Sequence, residues 1–261
     1  MTASSLFYII IAILVFSFII DKILDSLNTK HYNDPIPEEL SDVYDQEEYQ
    51  KSQDYKNLTD RFSSITSFIS LIATLAFFFL DGFAFVDDWA RTLSDNNIII
   101  ALIFFGSILF ASDILSTPFS YYHTFVIEEK FGFNKTTVKT FILDKVKGWF
   151  MSAVLGGLLL SIIIWFYDST GSNFWLYAWG IVAAFAFFMN MFYARLIVPL
   201  FNKQTPLTEG TLKTKIEDYA QKVGFTLDKI FVIDGSKRST KANAYFSGFG
   251  SEKRVTLYDT L

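Results

Sequence analysis

The chain has 261 residues, of which 51% are hydrophobic and 18% aromatic, with 30 Phe, no Cys and a formal charge of −5. Without Cys there is no disulfide scaffold, no Cys-liganded zinc and no thiol catalysis, and the negative charge gives no electrostatic case for a nucleic-acid partner. The apolar residues cluster into long runs with the charges between them, which excludes a water-soluble globule, a disordered chain and a collagen-like fibre.

A helix needs about 20 mostly apolar residues to cross the hydrocarbon core of a bilayer. Five stretches meet that demand, at about 4–24, 62–80, 98–118, 149–166 and 174–200. The third could extend to Tyr122, and the fifth is long enough to tilt. Trp149, Trp165, Tyr167, Trp175 and Tyr177 stand at run ends, where amphipathic rings favour the headgroup layer. The first run lacks a basic leader and an A-x-A site, so it reads as a span rather than a cleaved signal peptide. Of the 22 Lys and Arg, all but Arg91 fall in segments that share one side if the N-terminus lies outside. The positive-inside rule then places the connections 25–61 and 119–148, and everything after the fifth span, in the cytoplasm. Segment 25–61 reads as a charged, solvated connector.

Three polar residues, Asp113, Asn190 and Arg195, lie in or near apolar runs, where such groups are functional candidates by default. Asp113 and Arg195 share a depth that suggests an ion pair. Glu128 and Glu129 are adjacent carboxylates. Such a pair can do acid–base work, but in a basic loop it reads better as a solvated or salt-bridged structural pair.

After residue 201 the pattern changes. The spacing of Leu212, Ile216, Tyr219, Ala220 and Val223 predicts an amphipathic helix from Thr208, as N-cap, to Val223, with Gly224 as the stop. Residues 229–234 read as a buried strand and 235–241 as a basic turn. Residues 242–250 and 253–261 read as two more strands, joined as a hairpin around 248–252. The expectation is a three-stranded meander with one helix, an incomplete lobe over 202–261, because so few elements rarely make a core alone. Lys237, Arg238 and Lys241 could touch anionic headgroups or simply form a solvated turn.

The string EEKFGFNKTT (128–137), within 124–147, and the string GSKRSTKANAYF (235–246), within 229–261, resemble the integral-membrane CAAX prenyl proteases of type 1, zinc metalloendopeptidases of the M48 family. Residues 197–225 resemble the segment that leads toward the zinc site in that family. The resemblance covers the chain in order. It implies a mostly α, multi-pass membrane protein of five spans over 1–201, followed by the start of an α+β zinc-metallopeptidase lobe. It further implies hydrolysis of peptide bonds in prenylated or membrane-associated substrates, and zinc as cofactor. Peptide or protein substrates and the lipid bilayer are the implied partners. A bacterial cell membrane, or the ER membrane of a eukaryote, is the implied location. By the same resemblance the strand ANAYF lies at a sheet edge where substrate adds as a further strand, so Asn243, Ala244, Tyr245 and Phe246 are the candidate substrate-binding residues. An unpaired edge holds peptide through main-chain groups without reading its sequence.

The family's H-E-x-x-H helix grips zinc through His at i and i+4, with the Glu as base. His31 and His123 are the two histidines and do not have that spacing. No metal ligand and no catalytic residue is assigned within this chain, which by itself is expected to be inactive. The rival reading is a non-catalytic multi-pass membrane protein: a pseudoprotease, a scaffold or a transporter. The spans show no internal repeat of the kind transporters carry.

Overall fold

Helix α1 (Ala3–Thr29) starts where the Thr2 hydroxyl accepts the Ser5 N–H, and none of its residues is buried. Leaving its Ile, Leu and Phe side chains in water would cost roughly 25 cal/mol for each Å² of apolar surface, so lipid is their solvent. The computed structural model describes residues 2–261 apart from 33, 39–41, 44, 226 and 228, and apart from the side chain of residue 251.

Helix α2 (Gln46–Phe79) is capped by Asp45, whose Oδ1 accepts the N–H groups of Glu47 and Glu48. It packs on α1, and its apolar half follows a polar half that stays helical. The segment expected as a connector over 25–61 is thus helical at both ends, since i,i+4 contacts and a good cap can sustain a polar helix; residues 33, 39–41 and 44 of that segment lie outside the described residues. A short helix not anticipated, α3 (Gly82–Leu93), follows. Helix α4 (Asn97–Tyr122) continues through a π-helical turn, His123–Glu128. Helix α5 (Val138–Met151), capped by the Thr137 hydroxyl, runs through a second π-turn, Ser152–Gly156, into α6 (Gly157–Thr170). At Gly171, with φ 57°, the chain reverses into α7 (Phe174–Leu196), which packs on α6 and ends in the one-turn α8 (Val198–Phe201).

Four helical runs among the described residues are long and apolar enough to cross a membrane: Ala3–Thr29, Gln46–Phe79, Asn97–Glu128 and Val138–Phe201. The last doubles back at Gly171, which makes five crossings. The protein is a multi-pass, mostly helical membrane protein with a small sheet at its C-terminal end.

The chain divides into two compact units, one of residues 1–93 and 111–131, the other of 94–110 and 132–261. In the second unit lies a four-stranded sheet of order β1-β2-β4-β3, made of β1 (Gln204–Pro206), β2 (Ile230–Ile233), β3 (Ala244–Ser247) and β4 (Arg254–Tyr258). The expected meander is corrected. The hairpin β3–β4 forms as anticipated, but β2 pairs parallel with β4, and β1 adds antiparallel on the far side of β2. Strands β2 and β4 bury residues on both faces and take the centre, while β3 alternates between exposed and half-buried and takes an edge. β1 is three residues long and ends in Pro206, so periodicity alone could not reveal it.

The amphipathic helix α9 (Thr211–Lys222) starts later than expected, with Gly210 rather than Thr208 at its cap, because Pro206 and Leu207 are held beside β2. Gly224 ends it at φ 70°, as anticipated.

Candidate functional site

The site is built from β3 upward. Tyr258 N–H donates to the Asn243 carbonyl at 2.9 Å, which fixes the phase of the β3–β4 ladder. Residues 243, 245 and 247 then bond toward β4, and the main-chain groups of Ala244 and Phe246 turn to the outer edge. Ala244 N–H is taken by its neighbour's side chain, Asn243 Oδ1, at 2.8 Å. What β3 offers outward is therefore the Ala244 carbonyl and both the N–H and the carbonyl of Phe246. Among the described residues β3 pairs with no strand but β4.

The two faces of β3 are held differently. Tyr245 packs on Ala194 and Val198 of the α7–α8 corner and on Ile233, with Tyr258 beside it. On the other face the Phe246 ring meets Phe225 edge-on at 5.1 Å, and the Lys253 ammonium lies 4.5 Å over Phe225. The turn into β4 needs Gly248: its φ is +86°, and a Cβ there would stand 2.1 Å from the Glu252 carbonyl oxygen. Glu252 gathers three cations, Arg195 at 3.4 Å and Lys229 and Arg254 at 3.2 Å each. The Lys229 hydrogen bond and this positive surrounding hold its carboxyl below the usual range. Arg195, for which the sequence suggested Asp113, thus ties the end of α7 to the β3–β4 turn.

The basic turn before β3 is clasped by the loop 132–137. Lys135 N–H donates to the Arg238 carbonyl at 2.9 Å, and Thr240 N–H donates to the Phe133 carbonyl at 3.0 Å. The hydroxyls of Thr136 and Thr240 bond the Arg238 and Gly132 carbonyls, and the Lys241 ammonium lies 4.7 Å over Phe133. Arg238 itself grips Asp144 in a fork, Nε to Oδ2 at 2.8 Å and Nη2 to Oδ1 at 3.0 Å, and Nη2 also reaches the Phe201 carbonyl at 2.9 Å. Arg238 is thus a structural residue, not a headgroup contact.

The remaining sequence candidates have contacts of their own. Glu128 accepts the Tyr55 hydroxyl, which fits the structural reading of the glutamate pair. His31 meets Asp34 at 2.7 Å, and His123 lies against Phe62 with ring centroids 6.3 Å apart. No three His, Asp or Glu side chains among the described residues gather to hold a metal ion. The described residues by themselves do not fit the implied zinc.

Residues 25–203 match the family described as "CAAX prenyl protease N-terminal, five membrane helices", and residues 206–261 match "Peptidase family M48". The chain belongs to the M48 family of CAAX prenyl proteases. It is 37% identical to the CAAX prenyl protease 1 homolog of Arabidopsis thaliana over 237 residues, covering 87% of this chain and 55% of that protein. It is 37% identical to CAAX prenyl protease 1 of Saccharomyces cerevisiae, again over 87% of this chain and 52% of the relative. Its fold superposes on the crystal structure of S. mikatae Ste24p with a TM-score of 0.90 at 38% identity, over 98% of this chain and 62% of that one. The chain spans about half the length of the curated relatives it matches.

In this M48 chain the two strings that carry the family resemblance are the two sides of one clasp. Nothing in either string signals that the two meet, and Asp144 and Glu252 carry no motif that would mark them. No local signal marks either, since Asp144 meets a partner 94 positions away.

Proposed function

We propose that this chain is the membrane and substrate-docking portion of a CAAX prenyl protease, a zinc metalloendopeptidase that hydrolyses peptide bonds of prenylated or membrane-associated substrates. The observation that carries the reading is the open outer edge of β3, held rigid on both faces, with Phe246 N–H and the carbonyls of Ala244 and Phe246 turned outward. An extended peptide adds to such an edge as another strand, donating to Ala244 C=O and Phe246 C=O and accepting from Phe246 N–H. The Asn243 amide holds the Ala244 N–H until substrate arrives and takes it over. Family membership and the likeness to Ste24p support peptide hydrolysis as the outcome. The distribution of Lys and Arg supports an N-terminus outside and a cytoplasmic C-terminal lobe, in the ER membrane of a eukaryote or the cell membrane of a bacterium.

The test uses the complete gene product in liposomes, with a farnesylated peptide ending in a CAAX sequence and product read by mass spectrometry. Cleavage is expected. Phe246→Pro removes the outward N–H without breaking a ladder bond to β4 and is expected to lower kcat/KM about tenfold, the worth of one hydrogen bond near the upper end of its usual range. Phe246→Ala, which keeps the N–H, is expected to lower it less. Peptide binding without cleavage would favour the non-catalytic rival, and equal loss in both variants would remove the edge from the reading.

A further inference from the structure

Between the C-terminal part of α1 and the middle of α2 lies an open cleft of about 430 Å³ within the first unit. Its walls include Lys22, Asp25, Asn57, Asp60, Arg61 and Ser64. Lys22 and Asp25 stand where the first apolar run ends, and Asp60 and Arg61 come just before the second begins. The cleft therefore opens at the depth of the lipid headgroups.

Its charges are balanced, two cations facing two carboxylates. Lys22 Nζ bonds Asp25 Oδ2 at 2.6 Å and Ser64 Oγ at 3.0 Å, and the Tyr32 hydroxyl donates to Asp60. Two groups are left over. Arg61 is exposed and makes no ion pair or hydrogen bond among the described residues. Asn57 Oδ1 is buried and receives no donor there, although a buried acceptor costs free energy until it is paired.

We propose that this cleft binds the phosphoethanolamine headgroup of a phospholipid. The phosphate lies on the Arg61 guanidinium and the remaining Lys22 N–H. The ammonium, with three N–H donors, meets Asp25, Asp60 and the orphan Asn57 Oδ1. A choline headgroup has no N–H to donate, and an anionic headgroup without an ammonium would face the two carboxylates uncompensated. Soluble phosphoethanolamine has the same chemistry as the lipid headgroup. The lipid is the occupant because Ile65, itself a wall residue, and Phe68, one turn further along α2, expose apolar surface against which its acyl chains can lie.

The test titrates the protein in detergent with short-chain phosphatidylethanolamine, phosphatidylcholine and phosphatidylglycerol, reading retained lipid by native mass spectrometry. Phosphatidylethanolamine is expected to be retained about tenfold more strongly than either other lipid, the worth of one charge-assisted hydrogen bond. Asn57→Leu, which removes the orphan acceptor, is expected to abolish the preference, whereas Arg61→Gln, on an exposed position, is expected to weaken retention of all three lipids alike, because each carries the phosphate it binds. Arg91→Gln, on α3, is expected to leave it unchanged. Equal retention of the three lipids, a preference that survives Asn57→Leu, or retention left unchanged by Arg61→Gln overturns the site. Binding of soluble phosphoethanolamine without any lipid preference overturns the lipid assignment.

Discussion

Removing Asp144 should open the clasp that precedes the edge strand. Asp144→Ala deletes both arms of the Arg238 fork, at 2.8 and 3.0 Å, and leaves the guanidinium with the Phe201 carbonyl. The pair is about three-quarters buried, with side-chain exposures of 24% and 26%. Charge-assisted bonds in such surroundings contribute about 1.5–3 kcal/mol each, and partial exposure lowers their sum. We expect about 2 kcal/mol of local stability to be lost, which is roughly thirtyfold in an equilibrium constant. Hydrogen exchange reads local opening directly. The Lys135 and Thr240 amides, which bond the Arg238 and Phe133 carbonyls across the clasp, should exchange about thirtyfold faster in Asp144→Ala, while amides in β4 change little. Arg238→Ala should accelerate the same two amides. The double variant should fall short of the sum of the two by about 1.5 kcal/mol, the interaction energy of a contacting charged pair. Unchanged exchange at Lys135 and Thr240, or strictly additive singles, would show that the fork does not hold the clasp.

Gly248→Ala places a methyl group 2.1 Å from the Glu252 carbonyl in a left-handed backbone; the conformation alone costs about 1–2 kcal/mol, so the thermal midpoint followed by intrinsic fluorescence should drop, and an unchanged midpoint contradicts the geometry. The hydrogen bond to Asp60, together with burial, pushes the Tyr32 hydroxyl from its ordinary value of 10.0 up to about 12. Because the folded state holds this proton more tightly, the contribution is complete below about pH 10 and is lost between 10 and 12; Tyr32→Phe should abolish that alkaline loss in a stability-against-pH profile. Burial would push the Asp259 carboxyl up, but the N–H and O–H of Ser236, at 2.7 and 2.5 Å, outweigh it and hold the carboxyl below the usual carboxylate range. Its stabilisation is present above that range and fades as the pH falls through the lowered value, so Asp259→Asn should flatten the acid limb of the same profile. Since the chain has no Cys, single cysteines report sidedness cleanly: one at residue 95 should react with an impermeant maleimide from outside, one at residue 237 only after permeabilisation, and the reverse pattern would invert the topology.

Much of the membrane region was legible residue by residue. Hydrocarbon demands about 20 apolar residues per crossing, and the five runs satisfy that demand without reference to one another. The hairpin at 248–252, the stop at Gly224 and the strand at 230–233 were legible too, because each rests on a turn residue or an apolar run of its own. The edge position of β3 was implied by the resemblance alone, since Ala244, Tyr245, Phe246 and Ser247 show no apolar–polar alternation, and adjacency in the chain argued for a meander and hid the parallel pairing of β2 with β4. β1 was illegible because three polar-to-neutral residues carry no period.

What the chain determined by itself was where it meets lipid, where it turns to water, and which strings mark it as an M48 relative. Folding alone decided that those two strings close on each other, that Arg238 holds Asp144 rather than a headgroup, that Glu252 collects three cations, and that Asn243 spends its amide on its neighbour's N–H. Burial in a bilayer is a property of one segment in its solvent and can be summed along the chain. A hydrogen bond or ion pair belongs to two groups, and when they lie tens of residues apart only the packed backbone brings them into contact.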